Sequence, residues 1–214
     1  RSLLESAALF RVAEIKIDGV HITNKKKVLA LSQLKEGENI FEIDLKQTVA
    51  RVIENPMIKR ASLSRILPDQ ISIQIVERKP IALVSLNRLY GVDKEATLLP
   101  YLASFPSVPI ITGVNLRSYQ IGETIASPEL CQTIEFLQQA NRIAPSLLNE
   151  ISELKLGSPL ILCLVNGGIQ VKLRRGDFPQ QILCLEAVLK ELRTCRLSPR
   201  YIDLRFEGKV VVGT

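Results

Sequence analysis

The sequence predicts an α+β protein of two units: an N-terminal β-α-α-β-β unit, then a mixed β unit that carries two helices. Three observations lead there. Short stretches of apolar–polar alternation recur along the chain, the period of a half-buried strand. Between them lie segments with apolar residues three and four apart, each opening on a capping residue. The first pattern halts at Pro80, which has no amide to give a ladder and so marks a boundary.

Val12 to Asp18 alternates, with Ala13, Ile15 and Ile17 set against Glu14, Lys16 and Asp18, and Gly19 ends the strand. Thr23-Asn24 caps a short helix that opens on Lys25-Lys26-Lys27 and carries Val28, Leu29 and Leu31. After a turn at Glu36-Gly37, Asp44 and Gln47 form a capping box. Leu45, Val49, Val52 and Ile53 follow at helical spacing until Asn55-Pro56 stops the helix. Ala61 and Leu63 then alternate with Ser62 and Ser64, and Ile71, Ile73 and Ile75 with Ser72 and Gln74. Pro68-Asp69 suits the turn between these two strands, since proline presets the first turning dihedral. Glu77-Arg78-Lys79 reads as a solvated strand end, with a contact surface as the alternative. In this order both helices cover one face of the sheet.

The second unit opens its first helix on Ser127-Pro128-Glu129, with Pro at the first helical position and Leu130, Ile134 and Leu137 on one face. Leu160 to Val165 and Ile169 to Leu173 flank Asn166-Gly167-Gly168, a hairpin signal. Asp177 and Gln180 cap a second helix, with Ile182, Leu185, Val188, Leu189 and Leu192 inward. The ending, "YIDLRFEGKVVVGT", is two short strands around Glu207-Gly208-Lys209.

With 214 residues, 46% hydrophobic, the chain has material for one large core or two modest ones. A net charge of +6 favours acidic partners or anionic membrane surfaces. Only 5% of residues are aromatic and Trp is absent, a poor composition for stacking on nucleic-acid bases. The longest apolar run, Leu160 to Val165, falls well short of the roughly 18 residues a bilayer span needs. The chain opens at Arg1 with neither a Met nor a signal pattern and reads as a trimmed fragment, which leaves room for an upstream anchor.

Catalytic patterns do not assemble. The one histidine, His21, lies in a turn beside Gly19, and a Ser-His-Asp or Cys-His site would need it alone as base. There is no G-x-S-x-G elbow, P-loop or G-x-G-x-x-G. Cys131, Cys163, Cys184 and Cys195 contain no close CxxC pair, which speaks against a zinc site. Cys184 and Cys195, on one helix, would stand ~16 Å apart along it, too far to bridge. "LRRGD", Leu173 to Asp177, reads either as turn plus helix cap or as a surface for a partner. We expect no enzyme activity, no cofactor and no metal.

Several stretches, in order, carry a resemblance. "VAEIKIDGVHIT" is similar to the first strand and turn of a POTRA domain, and "EGENIFEIDL" to the segment that follows. "NPMIKRASLSRILPDQISIQIVERKPIAL" is the most specific, and "VPIITG", "LRRGD" and "YIDLRF" continue the likeness to the C-terminus. From about Phe10 onward the chain resembles the extracytoplasmic part of the FtsQ/DivIB family of bacterial division proteins. It departs at Met57, where the family often has Trp, and at Thr214, where some members end on an aromatic residue.

The resemblance implies a juxtamembrane segment over residues 1–9, a POTRA domain over 10–79 and a β domain over 80–214. It implies a non-enzymatic divisome scaffold on the periplasmic side of the cytoplasmic membrane, anchored by one upstream span. Its partners would be FtsB-like and FtsL-like proteins and other membrane proteins of the divisome, with no nucleic acid. The expected binding residues are Arg175, Gly176, Tyr201, Arg205, Phe206, Glu207, Gly208, Val210 and Val212. Two rivals stand beside it: a POTRA-bearing outer-membrane assembly or secretion factor, and a basic nucleic-acid-binding module.

Overall fold

The computed structural model describes residues 9–101, 107–116, 118–165 and 168–213. The expected juxtamembrane segment, apart from Leu9, lies outside them, as do Asn166 and Gly167 of the hairpin turn and Thr214. The chain divides into two compact units after Arg78.

In the first unit, β1 (Glu14–Asp18), α1 (Lys25–Ser32), α2 (Leu45–Ile53), β2 (Ile58–Ile66) and β3 (Gln70–Glu77) follow the expected order. The sheet order is β1-β3-β2, with β1 parallel and β2 antiparallel to the central β3. Ile71, Ile73 and Ile75 of β3 are buried with Ile17, Val28, Val52 and Ala61, while Gln74 and Val76 face out. Asn24 caps α1 by accepting the Lys26 amide at 2.8 Å, and Asp44 caps α2 by accepting that of Gln47 at 3.0 Å. Leu29 and Ile53 lie on the helix flanks and are exposed, one residue beyond the buried Val28 and Val52. A helix turns by about 100° per residue, so a neighbour of an inward position leaves the core stripe. Gly19 has φ +81, and a Cβ there would come within 2.0 Å of the Ile75 carbonyl oxygen; only glycine fits. Arg65 ties β2 to the preceding loop, donating to the carbonyls of Ile40 and Ile43, both at 2.7 Å.

Glu77 corrects the reading of a solvated strand end. It is buried, and its carboxylate accepts the backbone amides of His21, Ile22 and Thr23 at 2.8, 2.7 and 2.7 Å and the Thr23 hydroxyl. Burial raises its pKa, but these four donors outweigh it and hold the carboxyl below its ordinary value. Charge at a strand end ordinarily means water; here three loop amides take the place of water.

The second unit is built on nine strands: β4 (Pro80–Ser85), β5 (Leu89–Asp93), β6 (Leu98–Leu99), β7 (Ile110–Thr112), β8 (Ile151–Lys155), β9 (Leu160–Leu164), β10 (Gln170–Leu173), β11 (Tyr201–Asp203) and β12 (Val211–Gly213). They form one sheet in the order β12-β11-β10-β9-β8-β7-β4-β5-β6. Two long helices, α3 (Pro128–Ile143) and α5 (Phe178–Thr194), accompany it, with a single turn, α4 (Pro145–Leu148), between them in sequence. Ser127 caps α3 by accepting the Leu130 amide at 3.3 Å. Phe136 and Phe178 meet edge to face at 5.5 Å between centroids, locking α3 to α5. Leu130, Ile134, Leu137, Ile182, Leu185, Leu189 and Leu192 are buried as expected, and Val188 half-buried.

The cap on α5 differs from expectation. Asp177 stands at the N-cap with φ 48 and makes no side-chain cap bond. In that left-handed conformation its carboxylate turns toward Arg174, 3.6 Å away. The turn is held instead by Gln181, which is buried. Its side-chain oxygen accepts the Arg174 amide at 2.8 Å, and its NH2 donates to the carbonyls of Arg174 and Gly176 at 2.9 and 2.7 Å.

Candidate partner-binding edge

The two ends of the nine-stranded sheet are treated differently. At one end, β6 is covered: the Leu98 amide donates to Glu123 at 2.9 Å, its carbonyl accepts from Gly122 at 2.7 Å, and Thr97 bridges Thr124. At the other end, β12 pairs with β11 alone among the described residues.

The direction of the open groups follows from the ladder. Arg200 accepts from the Gln170 amide and the Leu204 amide donates to Lys172, so the even residues of β11 face β10. Tyr201 and Asp203 then face β12, opposite Gly213 and Val211. Val212, opposite Ile202, directs its own amide and carbonyl away from β11, to the open edge. Val212 is 44% exposed and Val211 42%.

Around this edge the expected residues fall into three groups. Tyr201 is half-buried under the Lys172 ammonium, 4.8 Å from the ring centroid. Asp203 is buried and grips Arg205, which donates from Nε at 2.9 Å and from Nη2 at 2.7 Å. These Arg205 hydrogen bonds hold the Asp203 carboxyl below its usual range against the opposing effect of burial. Arg205 is thus tied to Asp203 while remaining exposed, and its guanidinium lies 5.9 Å from the ring centroid of Phe206, which is 53% exposed.

Phe206, Glu207, Gly208 and Val210 form one wall of a groove of about 410 Å³, with Arg174, Asp177, Gln180, Gln181 and Cys184 opposite. Gly208 turns the chain at φ +66, a conformation that favours glycine. Val210 precedes β12 and packs partly against the core. Across the groove, Arg174 reaches both Asp177 at 3.6 Å and Glu207 at 3.8 Å, so the arginine turn and the terminal turn are joined by one guanidinium.

Arg175 and Gly176 are exposed in the same turn, but Arg175 points away from the groove, to Glu129 of α3 at 3.7 Å. Sequence reasoning missed Arg174, Gln181 and Glu129. The doubled arginine in "LRRGD" was a visible sign that the turn holds two cations, each free to take its own carboxylate.

Comparison with known proteins agrees with this architecture. The profile of the FtsQ-type POTRA domain matches residues 10–78, so the first unit is a POTRA domain. Cell division protein FtsQ of Geotalea daltonii is 25% identical over 214 residues, spanning 98% of this chain and 78% of that protein. FtsQ of Syntrophotalea carbinolica is 27% identical, covering 98% and 76%. Cell division protein DivIB of Clostridium acetobutylicum is 27% identical over 138 residues, 63% of this chain and 55% of its own length. The chain thus carries an FtsQ-type POTRA domain and is similar over nearly its whole length to FtsQ cell-division proteins, and over part of it to DivIB.

Proposed function

We propose that the chain is a non-catalytic scaffold of bacterial cell division. In this reading it stands on the periplasmic side of the cytoplasmic membrane, anchored by a span upstream of Arg1, and docks an FtsB-like partner with its FtsL-like companion. No helix among the described residues is long and apolar enough to cross a membrane. The observation that carries the proposal is the open edge of β12, where Val212 turns its backbone groups outward beside the groove and the Arg174–Arg175 turn. An incoming strand gains affinity from such backbone groups and specificity from alternate side chains. Exposed Phe206 and Val212 supply apolar contact, and Phe206 lines the same groove as the Arg174 guanidinium. The relatives' names as cell-division proteins support the same role.

The test is titration of the soluble extracytoplasmic segment of an FtsB-like protein against the chain and two variants. Val212→Pro removes an outward amide without touching the β11 ladder, and Arg175→Glu reverses the charge at the turn. Each should weaken binding on the order of tenfold or more, with the melting temperature nearly unchanged. Normal binding by both variants, or loss that tracks unfolding, would place the site elsewhere.

A further inference from the structure

The arginines of the turn are not idle cations. Arg175 Nη2 lies 3.7 Å from Glu129 Oε1, with the two side chains 43% and 44% exposed. Glu129 is itself well placed. It sits in the first turn of α3, behind Pro128, where a carboxylate is favoured by the helix dipole. The hydroxyl of the capping Ser127 donates to its other oxygen at 3.3 Å. Arg174 repeats the arrangement on the groove side with Asp177 and Glu207. Every guanidinium that the turn offers to a partner already faces a carboxylate of this chain.

Pairs this exposed are weak and exchange easily. They are still a competitor that any newcomer must displace. A neutral side chain gains too little from Arg175 to replace a charged neighbour, whereas an Asp or Glu makes a like-for-like exchange. Resident carboxylates therefore sharpen the preference for an acidic partner and lower its affinity at the same time.

We infer that Glu129 is a built-in placeholder at Arg175, displaced when a carboxylate of the docking partner binds. The inference rests on the docking reading above and deepens it: Glu129 sets the affinity and acid-selectivity of the site from outside the contact surface. It also keeps the guanidinium beside α3 before the partner arrives.

The test again uses the full chain and the soluble segment of an FtsB-like protein. Glu129→Gln should tighten binding roughly two- to fivefold. Glu129→Asp, which retracts the carboxylate by one methylene but preserves net charge and the charge at the helix start, should move affinity the same way by less. Glu135→Gln makes the same charge change elsewhere on α3, where its partner is Gln139, and should do nothing. In an Arg175→Ala background the Glu129→Gln effect should vanish. Equal tightening by Glu129→Gln and Glu135→Gln would reduce the effect to net charge and overturn the inference. So would unchanged or weaker binding by both Glu129 variants at an unchanged melting temperature, while sensitivity to Arg175→Glu left the docking site standing. If the unmodified chain fails to bind the segment, both readings fall together.

Discussion

Replacing Glu77 by Gln should unfold the first unit at a much lower temperature. The carboxylate serves four donors at once: the amides of His21, Ile22 and Thr23, at 2.8, 2.7 and 2.7 Å, and the Thr23 hydroxyl. Hydrogen bonds to a charged acceptor are worth about 1.5–3 kcal/mol each, but the amide keeps one oxygen and so retains part of the set. Allowing for that, and for water reaching the loosened loop, the loss is about 2–4 kcal/mol. In a unit of this size each kcal/mol shifts the midpoint by about 4–8 °C, so a fall of about 10–25 °C is expected. Thermal unfolding followed by circular dichroism measures it, and hydrogen exchange at Ile22 and Thr23 locates it. The pH dependence has a definite sign. Because the folded carboxyl titrates below its ordinary value, its stabilisation is fully present above the unfolded pKa and is lost as pH falls through the folded one. The variant should lack that acid-side loss. A midpoint within a few degrees of the parent, with the loop amides equally protected, would refute the claim that Glu77 holds the loop.

Two further outcomes are expected. Residues 10–79 expressed alone should melt cooperatively, because their apolar faces close on one another within a single sheet-and-helix layer; an aggregated product without a transition would count against the boundary at Pro80. Asp203→Asn should cost the second unit about 1–3 kcal/mol and remove an acid-side loss of stability, since Arg205 keeps the native carboxyl below its ordinary value; urea unfolding across pH checks both parts, and an unchanged pH profile would contradict the role given to the pair.

Much of this architecture was legible because it is locally encoded. Alternating Ile71, Ile73 and Ile75 declared the central strand, and Asp44 with Gln47 declared a helix start, each within a few residues. The illegible features are long-range. The donors to Glu77 lie 54 to 56 residues earlier, so nothing near "VERKP" distinguishes a buried clamp from a wet strand end. At α5 the sequence put a capping aspartate where a cap was wanted, yet the left-handed turn redirected it and a buried glutamine one helical turn inward did the work. "YIDLRFEGKVVVGT" was readable as strand, turn, strand. The strand order that puts β12 at the rim was not, because it depends on β11 pairing in parallel with β10 across the whole of α5.

An open sheet edge is a hazard, because its bare amides and carbonyls will pair with any extended chain. This sheet closes the hazard where it has no use for it, by folding residues 122–124 onto β6. Among the described residues nothing does so at β12. There the sheet limits the exposure in other ways: the strand is three residues long, Lys209 stands just ahead of it, and Arg174 lines the adjoining groove. A chain lacking complementary charge meets only a short ladder and a basic rim. A chain carrying carboxylates in step with an extended backbone meets a ladder, an exposed phenyl ring and the Arg174 guanidinium together. A terminal hairpin needed only for packing would have no reason to set Phe206 and Val212 outward while burying Ile202 and Leu204 behind them. The contrast between the two rims is therefore the physical argument for selective docking at the C-terminal one.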